Sequence, residues 1–312
     1  MTKLGTTDLD VSRLNLGGNV FGWSADEAAS HAVLDAFTEA GGNFVDTADV
    51  YSSWAPGHSG GESETVLGSW LAKRGRRDDV VIATKVGMLE GLDNQRADTV
   101  EKAVEGSLRR LGVDRIDLYY AHRDDPETPL VETLAAYDRL VKAGKIRHAA
   151  ASNFSGDRLR EAAAIAEREG FAGFVALQPK YNLVERGEYE RDLAPALTEL
   201  GLPSLPYSSL ASGFLSGKYR PGVEVESVRA AGASRYLDER GLAVLAALDE
   251  VAGARGVSQS AVALAWLAAQ PTVAAPIASA RTVEQLEQLL PALTLDLTAE
   301  EVARLSAASD VV

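Results

Sequence analysis

The sequence predicts an α/β chain: a (β/α)8 barrel preceded by a β-hairpin and extended by extra helices near the C-terminus. Three observations predict it. Short β-branched or aliphatic runs alternate with helical patterns along the whole length, as parallel strands joined by crossover helices do. The runs LNLGG, NFVDT, VVIAT, IDLYYA, RHAAAS, FVALQ, PSLPYS and VAAPI make eight strand candidates, the number that closes a TIM barrel. Titratable residues also stand at the ends of apolar runs in the first half, and such positions meet at one face of a barrel.

The elements follow in order. KLGTTDLDV reads as the opening hairpin. A helix is predicted from Asp98, where Glu101 completes a capping box, to Gly112. Another begins at Pro129, carries Leu130, Leu134, Tyr137 and Val141 on one face, stops at Gly144 and leads into the strand IRHAAAS. A third runs from Ser155 to Gly170 before FVALQ. The Gly-rich segment between Tyr207 and Asp238 reads as a lid. Barrels of this kind commonly use ~250 residues as one domain. No linker divides the 312 residues, so a single domain over 1–312 is expected.

Composition narrows the function. The 31 basic and 45 acidic residues give a net charge of −14, with no basic cluster suited to a phosphate backbone or an anionic membrane surface. Nucleic acid and membrane are therefore not expected partners; a small molecule is. There is no cysteine, which excludes disulfides, thiolate nucleophiles and cysteine metal sites, and no metal site is expected. MTKLGTTDLD lacks the basic-then-apolar pattern of a secretion signal, and the longest apolar run, near AVALAWLAA, is far short of the ~20 residues of a membrane helix. The expected compartment is the cytoplasm.

Four residues carry the chemistry. Asp46, Lys85 and His122 end the second, third and fourth barrel strands, and Tyr51 lies on the loop after the second. A charged or titratable side chain at the end of a buried strand is costly to desolvate alone, so a carboxylate, a phenol, an ammonium and an imidazole placed this way invite mutual pairing. Each also admits a structural role: Asp46 as a turn cap, Tyr51 as packing, Lys85 snorkelling to solvent, His122 as a core histidine. Their joint placement favours a proton-transfer device. His31, His58 and His148 do not share the setting.

DTADVY, GESETVLGSWL, VIATKVG, DLYYAH, ASNF, LQPKYN and YSSLASGFLSGKY, in this order, resemble the aldo-keto reductases over nearly the whole chain. The closest likeness is to a bacterial branch related to the channel-associated β subunits. The resemblance implies reduction of aldehyde or ketone carbonyls with NADPH. Tyr51 would be the general acid, although a free phenol has a pKa of ~10. Lys85 would lower that value, Asp46 would keep Lys85 charged, and His122 would donate a hydrogen bond to the substrate oxygen.

The resemblance also implies a cofactor site. Ser152, Asn153 and Gln178, with Asp46, would meet the nicotinamide, and Tyr207 would lie under its ring. Ser208, Ser209, Leu210, Ala211, Ser212, Gly213 and Lys218 match the pyrophosphate segment. Ser279, Arg281 and Gln285 match the adenosine end, where Arg281 would read a 2′-phosphate. Thr282 and Gln285 also form a T-x-x-Q capping pattern. The chain departs from the family's usual Glu-Asn at Gln288 and Leu289. Phe21, Trp23 and Trp54 are expected to form an apolar wall beside the reacting carbonyl. Two other functions fit the same residues: a nicotinamide-binding regulatory subunit with slow turnover, and a Schiff-base lyase using Lys85.

Overall fold

The computed structural model describes residues 1–227 and 229–310. An antiparallel hairpin, β1 (Thr2–Lys3) and β2 (Asp10–Val11), opens the chain as expected. Seven parallel strands then curl into one sheet: β3 (Asn15–Gly17), β4 (Phe44–Asp46), β5 (Val81–Val86), β6 (Ile116–Ala121), β7 (Ile146–Ser152), β8 (Phe174–Gln178) and β9 (Ile277–Ala278). Their order is β8-β7-β6-β5-β4-β3-β9. Crossover helices α1 (Glu27–Glu39), α2 (Glu62–Arg74), α3 (Ala97–Leu111), α4 (Leu130–Lys142), α5 (Gly156–Glu169) and α6 (Ala194–Leu200) follow β3 to β8 in turn. Helices α7 (Ala230–Ser234), α8 (Glu239–Arg255) and α9 (Gln259–Ala268) precede β9, and α10 (Val283–Glu287) and α11 (Ala299–Ser309) follow it.

The run PSLPYS, expected as the seventh barrel strand, is irregular. Pro203 and Pro206 lack the N–H groups that a strand ladder uses. The segment still closes the barrel, because Ser204 bridges Leu177 on one side and Val273 on the other. Leu205 N–H donates to Leu177 O (2.8 Å), Ala274 N–H to Ser204 O (2.9 Å), and Ile277 N–H to Pro206 O (2.8 Å). Helix ends follow local chemistry. Ser155 Oγ accepts from Arg158 N–H to start α5, and Gly170, at φ 68°, ends it. The capping box expected at Asp98 and Glu101 does not form. Helix α3 begins one residue earlier, its N-cap is Arg96, and Asp98 Oδ1 accepts from Thr99 N–H instead.

Side-chain alternation along the strands positions the site. Phe44, Val81, Ala83, Leu118, Tyr120, Ala150, Ala176 and Ile277 fill the barrel interior. Strand side chains repeat every two residues, so Asp46, Lys85, His122, Ser152, Gln178 and Ser279 each continue one of these inward rows at its C-terminal end. The register staggers the rows by two residues at each step from β4 to β6, where Asp46 pairs with Ala83 and Lys85 with Tyr120, and makes Ser152 level with Gln178. At the opposite mouth the hairpin buries Leu4, Leu9 and Val11 in the same interior cluster. Asp8 pins it there through Arg147 Nη2 (2.7 Å) and His148 Nε2 (2.7 Å), and those two partners hold the Asp8 carboxyl well below the usual range.

Candidate active site

Lys85 is fully buried, and its Nζ donates to three oxygens: Asp46 Oδ2 (2.6 Å), Thr47 O (2.7 Å) and Tyr51 OH (2.9 Å). Tyr51 OH lies 3.3 Å from Asp46 Oδ2 and donates to it, while Gln178 Nε2 donates to Asp46 Oδ1 at 2.8 Å. The ammonium is thereby fixed in direction by the carboxylate and aimed at the phenol oxygen. The Tyr51 ring meets the His122 ring edge-on, with centroids 6.1 Å apart. His122 N–H extends the β5–β6 ladder by donating to Val86 O (2.8 Å), and its Nδ1 is buried without a protein partner among the described residues. The four residues expected to converge do so.

Their electrostatics differ from expectation at one point. Burial lowers the Lys85 ammonium below its ordinary pKa, opposed by Asp46. Burial, and then the Asp46 carboxylate, push the Tyr51 phenol well above its usual value, so Lys85 does not bring it down as the sequence suggested. The proton stays on Tyr51 at neutral pH. Burial, reinforced by the Lys85 and Arg123 charges, holds His122 far below its ordinary value, and the imidazole is neutral.

A cavity of about 800 Å³ opens above these groups. It is lined by Asp46, Tyr51, His122, Ser152, Asn153, Gln178, Tyr207, Ser208, Ser209, Leu210, Ser212, Gly213, Lys218, Ser279, Arg281 and Gln285, as anticipated. Asn153, at φ 56°, links two neighbours: its Nδ2 donates to His122 O (2.9 Å) and its Oδ1 accepts from Tyr207 OH (2.8 Å). Ser152 Oγ donates to Gln178 O (2.8 Å). Ala211, Ser212 and Gly213 are consecutively left-handed, at φ 48°, 58° and 88°. Strained backbone of this kind concentrates at ligand sites, and adjoining turns of amides form anion-binding nests. Trp23 and Trp54 pack edge-on, 5.5 Å apart, and Trp54 also meets Tyr51 at 6.2 Å, giving Tyr51 an aromatic wall.

One expectation needs correction. Phe21 is not in that wall. The turn Val20–Ala25, closed by Ala25 N–H to Val20 O (2.9 Å), folds its ring fully into the core. Ala211 has a buried side chain and can offer the cavity only backbone. Lys85 does not line the cavity and reaches it only through Tyr51 and Asp46. Gln285 lines the cavity, but its Oε1 accepts from Arg281 N–H (3.0 Å) while its own N–H donates to Thr282 Oγ1 (3.3 Å), so it also caps α10.

The sequence did not reveal several lining residues. Asn19 accepts from Ser279 Oγ (2.5 Å). Met88 follows β5 and could have been found from the rule that loops after barrel strands build the site. Ser216, Ser227 and Arg229 enter from the expected lid, where no periodicity marks them. Arg229 is held below its ordinary pKa by burial and then by Arg281, which lines the same cavity. Among the described residues, Lys218, Arg229 and Arg281 have no carboxylate partner. Gln288 and Leu289, where the chain departs from the family pattern, also line the cavity.

Comparison with known proteins gives a consistent set. The profile of the aldo/keto reductase family matches residues 13–310. An uncharacterized oxidoreductase, YrpG, of Bacillus subtilis is 37% identical over 96% of this chain and 92% of its own. A probable voltage-gated potassium channel subunit beta of Oryza sativa subsp. japonica is 34% identical, covering 98% and 95%. The aldo-keto reductase yakc [NADP(+)] of Schizosaccharomyces pombe is 32% identical, covering 93% and 85%.

Proposed function

Because the chain belongs to the aldo/keto reductase family and is an oxidoreductase, we propose that it reduces aldehyde or ketone carbonyls of small molecules with NADPH, Tyr51 acting as general acid. The observation that carries this reading is the Asp46–Lys85–Tyr51 chain of hydrogen bonds on the floor of a cavity that also holds three cations without carboxylate partners among the described residues. The donor set fits a phosphorylated nicotinamide dinucleotide. Lys218, Arg229 and Arg281 supply charge for phosphates, the left-handed run Ala211–Gly213 supplies amides, and Ser152, Asn153 and Gln178 supply amide and hydroxyl partners beside the aromatic face of Tyr207. Bound there, the cofactor would supply the hydride.

The residues then divide the remaining work. Lys85 donates to the phenol oxygen, which stabilises negative charge there as the Tyr51 proton leaves. Asp46 holds Lys85 charged and oriented against the cost of burial. Neutral His122 donates to the carbonyl oxygen, assists its alignment and brings no competing proton of its own. Trp23 and Trp54 exclude water beside Tyr51. Tyr51 stands between the cavity and Lys85 Nζ, whose three donors are all engaged, and this argues for a relay rather than a Schiff base.

The test is a panel of aldehydes and ketones followed by NADPH absorbance. Multiple-turnover oxidation of NADPH with at least one carbonyl is expected. Binding of NADPH without turnover across the panel would favour a regulatory subunit, and a borohydride-trapped adduct on Lys85 would favour a lyase.

A further inference from the structure

Asp49 lies between Asp46 and Tyr51 in sequence, yet the relay does not use it. It is fully buried, and neither carboxyl oxygen has a hydrogen-bond partner among the described residues. The other buried carboxylates are engaged: Asp46 by Lys85 and Gln178, Asp117 by Arg77 and Arg147, Asp138 by Ala172 N–H and Lys142, and Glu64 by Thr84 Oγ1 and Arg110 Nε, both at 2.6 Å. Asp49 is bound to the relay through the main chain, its N–H donating to Lys85 O at 3.3 Å. The titratable and charged groups around it come from every neighbouring element: Glu64 from α2, Lys85 from β5, Arg110 from α3, Tyr119 from β6 and Tyr137 from α4. Arg110 is already committed to Glu64, and the Lys85 ammonium is aimed at Asp46 and Tyr51.

A buried carboxylate with no donor, beside a second carboxylate, is far less stable than the neutral acid. We propose that Asp49 is a positioning residue for the relay: neutral at neutral pH, it leaves Asp46 as the principal counter-charge on Lys85, and on ionising in the alkaline range it becomes a second counter-charge that keeps Lys85 an ammonium. The proposal rests on the reductase reading for its catalytic consequence, but not for the protonation of Asp49. Burial first, and then Glu64, push the Asp49 carboxyl up to about 8, against the pull of Arg110 and Lys85. The coupling runs both ways, since the Asp49 charge favours the charged form of Lys85 while burial disfavours it.

With Asp49 present, deprotonation of Lys85, and the loss of turnover it causes, is deferred to higher pH. In Asp49→Asn, which keeps the volume and cannot ionise, the alkaline limb of kcat should move roughly one unit lower, the scale of a nearby opposite charge. Infrared spectroscopy of the wild-type protein supplies a readout independent of activity: a protonated-carboxyl band at pH 7 that fades near pH 8 and is missing from Asp49→Asn. Should that variant not fold, Glu64→Gln removes the neighbouring negative charge and should shift the fading of the wild-type band to lower pH. Absence of a protonated-carboxyl band at pH 7 overturns the proposal, and so does an alkaline limb at the same pH in wild type and Asp49→Asn. If no carbonyl is reduced, the reductase reading fails while the infrared titration still decides whether Asp49 carries the proton.

Discussion

The Tyr51 hydroxyl receives a hydrogen bond from Lys85 Nζ at 2.9 Å and faces a cavity that Lys85 itself does not reach. Its removal therefore separates proton delivery from cofactor binding. Tyr51→Phe is expected to lower kcat by about 10²-fold or more, the usual worth of general acid catalysis, with NADPH affinity changed little. Steady-state rates and fluorescence titration check both, and wild-type turnover would remove Tyr51 from the mechanism. Arg281→Ala tests cofactor choice. Loss of charge-assisted contacts to a 2′-phosphate should weaken NADPH roughly ten- to a hundred-fold and NADH little. Because burial and then the Arg281 charge hold the Arg229 guanidinium down, removing Arg281 relieves Arg229, and the lower end of that range is expected. Equal weakening of both cofactors would show that Arg281 does not read the phosphate.

Two elements frame the barrel from opposite ends. The β1–β2 hairpin closes the lower mouth with Leu4, Leu9 and Val11 and contributes no residue to the cavity lining. Leu9→Ala should therefore cost about 2–5 kcal/mol of stability while leaving kcat at saturating substrate unchanged. Denaturant unfolding and steady-state kinetics measure the two effects, and a large fall in kcat would mean that the hairpin communicates with the site. At the upper mouth, Ser216, Lys218, Ser227 and Arg229 all face the cavity from the segment between Tyr207 and Asp238. If that segment closes over the dinucleotide, NADPH should slow proteolytic cleavage within it. Equal cleavage with and without NADPH would argue against a lid.

Over the whole molecule, the charge of −14 contrasts with the concentration of Lys218, Arg229 and Arg281 in one cavity. An anionic cofactor bound there stabilises the folded state by mass action, about 2.7 kcal/mol at a hundredfold excess over its dissociation constant. For a chain of 312 residues this corresponds to a rise of about 4 °C in Tm. Calorimetry should show that rise with NADPH, a smaller one with NADH at the same concentration, and a decrease of the NADPH effect as salt screens the phosphate contacts. Equal shifts for the two cofactors would indicate that the 2′-phosphate is not read. Among the described residues, no helix is long and apolar enough to cross a membrane.

The sequence by itself determined the barrel, because strand and helix periodicities are local and repeat, and because Gly144 and Gly170 mark helix ends through their own left-handed backbone. It also marked the four residues that converge beside the cavity: each continues an inward row at the C-terminal end of a strand or follows it on the next loop, a position countable along the chain. Tertiary structure alone decided the rest. Whether Phe21 faced the cavity depended on a turn that folds its ring into the core. Whether PSLPYS formed a strand depended on prolines weighed against closure on both sides. Arg229, distant from Arg281 in sequence, lines the same cavity only through the path of the segment between Tyr207 and Asp238. The direction of the Tyr51 pKa, and the isolation of Asp49, were decided by burial, because desolvation depends on every element packed around a group and no single stretch of chain records that sum.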